Sequence, residues 1–445
     1  MKKSSKWDTM LSIMLALFIG SYLIITGCNE DDDDDDTNNN DSVITTRIQD
    51  GGTIQSVSTE NIIVEVDEDA TVTIAGQVKF SSGTTLKINP GVTVKGDIDY
   101  FSYLIIDRGA KIEAIGTAEK PITFTSGKPE GERTKQDWGG IVINGYAPIN
   151  AGETALGEGD SGPYGGNNPE DNSGTLKYVR IMFAGKAFNA EDELNGLCLQ
   201  GVGSGTTIDY IQIHNCFDDG IEMFGGTVNL KHIIATGNGD DQIDCTYGWQ
   251  GKIQFAISVS LPGNDSNFEH DNNGSNFSAT PVTNVRYYNV TCLRGDGADE
   301  RGARMRCGTQ AFFYNSYFSG SQADRAIISE DAESKVTFDN VLIEQNGDVG
   351  YISEDGGVLD AGTNLLVDDD PANPLLDITN VASYAALELN GADTFVPDSS
   401  ATNAGAVTTA TPPNDGFYDT SATYIGAVEN ASNNWAQGWT EFPEN

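Results

Sequence analysis

The sequence predicts an all-β chain: a single right-handed parallel β-helix, a solenoid of short strands, finished by a C-terminal cap. Three observations lead there. Apolar and polar residues alternate at period two in short runs, as in Leu86, Ile88, Val92 and Val94. Units recur at about 20 to 25 residues, the spacing of stacked supersecondary repeats. Gly, Pro and Asn end each run, and no long helical period intervenes.

The repeat is clearest between Leu176 and Gly251. IDYIQIHNCFDDGIEMFGG begins at Ile208 and VNLKHIIATGNGDDQIDCTYG at Val228, so Asp218 and Asp219 recur as Asp240 and Asp241. An upstream copy runs through LKYVRIMFAG from Leu176 and NGLCLQG from Asn195. Leu197, Ile221 and Ile243 then share one position, and Leu199, Met223 and Cys245 share the next apolar one. Alternation turns these inward and turns Glu222 and Asp244 outward.

In chain order, residues 1–27 are a signal segment: Lys2, Lys3 and Lys6 precede an apolar run from Met10 to Thr26 that is short for a membrane span. Residues 28–49 follow as a tether, with Asp31 to Asp36 and three asparagines unable to bury anything. Ile25-Thr26-Gly27-Cys28 resembles the lipobox of bacterial lipoproteins, which implies that Cys28 is acylated and anchors the chain in a lipid bilayer. The acidic run just after it resembles the surface-export signal of Bacteroidota lipoproteins. That implies an outer-membrane protein facing the cell exterior.

Residues 50–350 form the predicted β-helix of about a dozen rungs. INPGVTVKGD from Ile88, YLIIDRGAKIEAIGTAEKPITFTS from Tyr103 and DWGGIVINGYAPIN from Asp137 resemble the N-terminal rungs of uncharacterised bacterial lipoproteins of pectin-lyase-like fold. The resemblance implies a fold and no assigned activity. Two polar stretches break the pattern, residues 151–175 and Leu261 to Pro281, and they read as the walls of a groove. Asn289, Asn315 and Asn340 read as a structural stack at equivalent turns. Residues 351–445 read as last rungs and cap, with a short helix in NVASYAALEL from Asn380 and with Trp435 and Trp439 packing the cap.

Charge and cysteines narrow the classes. Of 25 basic and 66 acidic residues, residues 1–27 hold three and one, leaving 22 against 65 and a net charge of −43. Such a surface repels nucleic acid and suits divalent cations. Besides Cys28, five cysteines remain (Cys198, Cys216, Cys245, Cys292 and Cys307), an odd number without metal spacing. They read mostly as small core residues with at most one or two bridges.

The chemistry concentrates on the aligned rungs. Asp219 lies over Asp241 and Glu222 over Asp244, with neighbouring strands about 4.8 Å apart. Stacked carboxylates repel unless a cation sits among them or some hold protons. Three readings remain: Asp-Asp-Gly turn chemistry, a calcium site of hard oxygen ligands, or a carboxylate pair at the spacing of a retaining glycosidase. The candidate metal ligands are Asp219, Glu222, Asp241 and Asp244; Asp218, Asp240, Arg304 and Trp249 are candidate ligand contacts. Arg304 aligns with Glu222 and Asp244 and reads as a ladder salt-bridge partner.

NGDDQIDC from Asn238 is similar to the Gly-Asp-Asp motif of β-helical polygalacturonases, but the Gly-His-Gly and Arg-Ile-Lys of that family are missing. Pectate lyases, which use calcium and an arginine base, offer a second comparison through Arg294, Arg301, Arg304 and Arg306. His214 reads as outward-facing without a metal partner. The function expected is a surface lipoprotein binding polysaccharide or another surface partner, non-enzymatic and calcium-assisted. The alternatives are a polysaccharide lyase or hydrolase, and a structural or adhesive spacer.

Overall fold

A strand such as Thr71–Ile74 buries Val72 and Ile74 completely and leaves its threonines half-exposed. One buried side per strand is too little for a strand to stand alone, so each pairs in parallel with its counterpart one turn away. The computed structural model describes residues 43–189, 192–294, 301–319, 325–344, 352–354, 356–361, 365–368, 395 and 409–445. Over them the chain is a parallel β-helix with three faces. The signal segment, Cys28, the acidic tether to Asp41 and the NVASYAALEL stretch lie outside the described residues.

One face is a ten-stranded parallel sheet, among the described residues, from Gln77–Phe80 to Ile352–Glu354. Its middle strands are Leu197–Gln200, Ile221–Phe224, Ile243–Thr246, Ser266–Asp271 and Arg301–Arg306. This is the site face. Its register matches the predicted one: Leu197 pairs with Ile221 and Ile221 with Ile243, and Leu199 with Met223 and Met223 with Cys245. All of these are buried in the core.

The other two faces begin as separate strands, as in Lys111–Ile115 and Ile122–Ser126, and are separate again in Val358–Ala361 and Leu365–Asp368. From Gly174–Met182 to Lys335–Glu344 they fuse into long strands that bend in the middle. The bend is one residue with positive φ at each rung: Tyr178, Tyr210, His232, Phe255, Asn289, Asn315 and Asn340. Asparagine tolerates this left-handed region, but bulky side chains rarely enter it. Here the rings offset the strain by stacking, Tyr178 on Tyr210 at 4.3 Å, Tyr210 on His232 at 4.1 Å and His232 on Phe255 at 4.9 Å. The three asparagines thus share one position, at a bend inside a strand rather than at strand ends.

Residues 409–445, the described part of the predicted cap, lie along this bent flank. The tail starts at Asn315, whose side-chain amide donates to the Ala410 carbonyl, and ends where the Gly131 N–H donates to the Asn445 carbonyl. Between them Asn289 and Gln212 donate to the carbonyls of Tyr424 and Glu441. Trp435 and Trp439 close edge-on over Tyr210, and Trp439 is buried. His214 faces outward from the solenoid but is buried under the tail, 3.0 Å from the Pro443 carbonyl, and burial lowers its pKa to about 4.

One expectation needs correction. Leu261 to Pro281 does not leave the solenoid as a whole, because Ser266–Asp271 is a rung of the site face. Its pattern was hidden: Phe268 is the one apolar residue in the strand, and the next inward position holds His270. That histidine is fully buried, bonded at 2.6 Å to the Tyr287 hydroxyl, and burial lowers its pKa to about 3. The cysteines form no disulfide among the described residues; Cys198, Cys216, Cys245 and Cys292 are buried thiols and Cys307 is half-buried.

Candidate functional site

Because inward residues alternate with outward ones, each rung presents two outward side chains on the site face. One outward column runs Cys198, Glu222, Asp244, Glu269, Arg304 in strict register. The next runs Gln200, Phe224, Thr246, and Asp271 pairs with Arg306 on the rungs beyond. Glu222 and Asp244 are therefore neighbours, as aligned from sequence, and Arg304 lies two rungs beyond Asp244. Glu269 stands between them, supplied by the strand that sequence reasoning had taken for a loop.

The turn before each strand carries a second ladder. The Asn195 side-chain oxygen accepts the Asp219 N–H at 3.1 Å, Asp219 accepts that of Asp241 at 2.9 Å, and Asp241 accepts that of Ser266 at 2.6 Å. Turn chemistry thus commits one oxygen of Asp219 and one of Asp241. Carboxylate oxygens of Asp219, Glu222 and Asp244 nevertheless lie within 4.8 Å of one another, as do those of Asp218, Asp219 and Asp240 and those of Asp240, Asp241 and Asp265.

The excursion at residues 151–175 closes over this face. Its short hairpin pairs Ala155–Leu156 with Pro163–Tyr164, and the turn Glu158–Asp160 packs down on the strands. Gly159 adopts φ 62° there, and a Cβ on it would stand 2.7 Å from a Leu194 methyl, so only glycine lets the turn come this close. Glu158 is delivered beside the column: Asn195 donates to Glu222 at 2.6 Å and to Glu158 at 3.4 Å, and the Cys198 sulfur is 3.7 Å from Glu158. Tyr164 of the excursion meets Phe224, whose ring also meets that of Tyr247. The centre thus has an aromatic wall.

The model of the pectate-lyase-like beta helix domain matches residues 56–440. The chain belongs to that family. Among solved structures, the Dettilon tailspike protein is similar at 12% identity and a TM-score of 0.30, over 66% of this chain and 62% of that one. The enzymatically active domain of bacteriophage CBA120 tailspike protein 2 is similar at 11% identity and a TM-score of 0.23, over 67% and 42%. This chain thus spans less than two thirds of either tailspike chain. No curated protein matches the sequence.

In this pectate-lyase-like β-helix the electrostatics divide the site face in two. On the C-terminal side, Arg304 pairs with Glu269 at 2.8 Å and Glu330 at 2.7 Å, and Arg306 pairs with Asp271 at 2.7 Å and with Glu269. Arg301 takes Asp265. The arginines are therefore committed to structural carboxylates. On the other side, no Lys or Arg pairs with Glu158, Asp218, Asp219, Glu222, Asp241 or Asp244 among the described residues. Burial, and then the neighbouring carboxylates, hold Glu158, Asp219, Glu222, Asp241 and Asp244 well above the usual carboxylate range. Asp218 is pushed up to about 7 by burial and the charges of Glu193 and Asp240. Glu269 also rises to about 7 by burial, against the pull of its arginines.

Trp249 does not belong to the site. It is fully buried in the core, and its indole N–H donates to the Val228 carbonyl at 3.1 Å. The alternation ends at Thr246, so the strand period does not reach residue 249 and the corner turns the ring inward. Glu158 went unseen in the sequence because a Gly-rich excursion has no period from which a contact can be read.

Proposed function

We propose that this protein binds polysaccharide along the outer side of the site face, with a divalent cation, calcium by its donor chemistry, held by Asp219, Glu222 and Asp244. The observation that carries this reading is the convergence of those three carboxylates beside Glu158, none of them in an ion pair with Lys or Arg among the described residues. Oxygens within 4.8 Å of one another fit a cation that takes oxygen ligands at about 2.3–2.6 Å. The donors are all hard oxygens, and Glu158, Asp218 and Asp241 stand near enough to tune the charge. Membership of a pectate-lyase-like family supports a scaffold with a long face for an extended polymer. The apolar wall of Tyr164, Phe224 and Tyr247 would exclude water from one side of the centre.

Acylated Cys28 would hold the protein at the outer membrane, with the aspartate run lifting the β-helix off the bilayer toward the cell exterior. The carboxylates would then bind cation and sugar hydroxyls without cleaving the chain.

A hydrolytic reading rests on one further contact. Glu222 and Asp244 are register partners whose carboxylate oxygens lie within 4.8 Å of one another, so a proton held by one would stand beside an ionised partner, as a general acid and base require.

Calcium titration separates these readings. Under the binding reading, calcium at a hundred times its dissociation constant adds about 2.7 kcal/mol of stability. Glu222→Gln with Asp244→Asn abolishes that response, and a chelator weakens binding to soluble polysaccharide. Release of reducing ends that ignores the chelator and is lost in the same double variant would favour hydrolysis. Absence of any calcium response would sink the cation site.

A further inference from the structure

Exposed apolar side chains gather beside the site face. Ile98 and Tyr100, 45% and 57% exposed, project from the turn before Tyr103–Ile106, and Phe188, 41% exposed, from the hairpin that pairs Lys186–Ala187 with Glu193–Leu194. Phe101 joins the two elements. Its ring stands edge-to-face with Phe188 at 5.7 Å and with Tyr103 at 5.5 Å. The Lys186 ammonium lies 5.2 Å over the Phe101 ring and makes no ion pair among the described residues.

The patch is coupled to the carboxylate centre. The Tyr103 hydroxyl donates to the Gly159 carbonyl at 2.7 Å, and the Gly159 N–H donates to the Asp192 carboxylate at 3.0 Å. The Asp192 carbonyl accepts the Phe188 N–H at 2.8 Å. The turn that sets Glu158 is thus hydrogen-bonded to both elements that carry the rings. Tyr103 and Glu222 are three rungs apart on the same face, about 14 Å at the spacing of paired strands. One extended oligosaccharide reaches both.

We propose that Tyr100, Phe101 and Phe188, with Lys186, form a sugar-stacking subsite that takes the apolar face of a pyranose ring farther along the strand held at the carboxylate centre. The inference rests on the polysaccharide reading above. Rings fixed edge-to-face lose little entropy on binding and present flat apolar area, and Lys186 supplies N–H donors to oxygens at the rim of a sugar ring. An anionic membrane is a poor occupant, because the acidic surface around the patch repels it.

The test uses the full chain in calcium, run by affinity electrophoresis through gels containing polygalacturonate, xylan, mannan or dextran. Tyr100→Ala with Phe188→Ala removes no ligand of the carboxylate centre, so the calcium-induced shift of the melting temperature stays at the wild-type value, whatever the lost Phe188–Phe101 contact does to the melting temperature itself. Binding to whichever polysaccharide retards the wild type falls by about tenfold or more. Lys186→Ala weakens it less. Unchanged retardation of the ring variant, with wild type still binding, overturns the subsite and leaves the carboxylate reading standing; self-association lost in that variant without change in retardation does the same. Failure of wild type to bind any of the four overturns the subsite together with the polysaccharide reading.

Discussion

The Asp241 backbone N–H donates to a carboxylate oxygen of Asp219 at 2.9 Å, one rung away, and both side chains also belong to clusters of converging carboxylates. A single side chain therefore serves the turn and the candidate site together. This answers why the Asp-Asp pair recurs at 218–219 and 240–241: the turn reading and the ligand reading fall on the same side chains. The ladder needs an acceptor at Asp219, but it does not need charge.

Substitution separates the two duties. Asp219→Asn keeps the acceptor and should leave stability near wild type in urea unfolding, while weakening the calcium response. Asp219→Ala leaves a buried N–H without a partner and should cost about 1–3 kcal/mol. Equal losses in both variants would mean that the charge, and not the hydrogen bond, holds the turn.

How much of this was legible in the sequence follows from period. The faces of Ile221, Glu222, Met223, Ile243, Asp244 and Cys245 were legible because a strand alternates strictly and a parallel stack preserves register. Glu269 was lost because His270 occupies a core position, and its partner Tyr287 sits in a different face of the solenoid. Tyr178, Tyr210, His232 and Phe255 were lost for the opposite reason: local propensity argues against a left-handed aromatic residue. Only the stack along the solenoid axis makes that backbone tolerable. Glu158 depends on a tertiary contact of a non-periodic segment, which no local pattern encodes.

The anchor is tested in the cell. Cys28→Ala should leave the protein unprocessed or soluble instead of membrane-bound, as read by fractionation. Neutralising Asp31 to Asp36 should keep it membrane-bound but protected from protease added to intact cells. Equal cleavage of the acidic and neutral versions would refute surface export and spare the anchor.

The raised carboxyls set the sign of the pH dependence. Asp218 and Glu269 release their protons near pH 7 in the folded protein, against about 4 when unfolded. Between those values these two carboxyls hold more protons in the folded state than in the unfolded chain, so their contribution to stability falls as pH rises through the window. His214 and His270 contribute in the opposite sense, because their lowered pKa values make the unfolded chain the better proton binder below about pH 6.5. Asp219, Glu222, Asp241 and Asp244, shifted the same way as Asp218 and Glu269, extend the loss upward. Without cation, the protein should therefore melt at a higher temperature at pH 5 than at pH 8. Calcium binds the deprotonated ligands, so it should stabilise strongly at pH 8 and little at pH 5, narrowing the gap. Glu222→Gln with Asp244→Asn should flatten the cation-free profile at its upper end. A wild-type cation-free melting temperature that falls from pH 5 to pH 8 no more steeply than that of the double variant would mean these carboxylates ionise without penalty, and the need for a compensating cation would disappear with it.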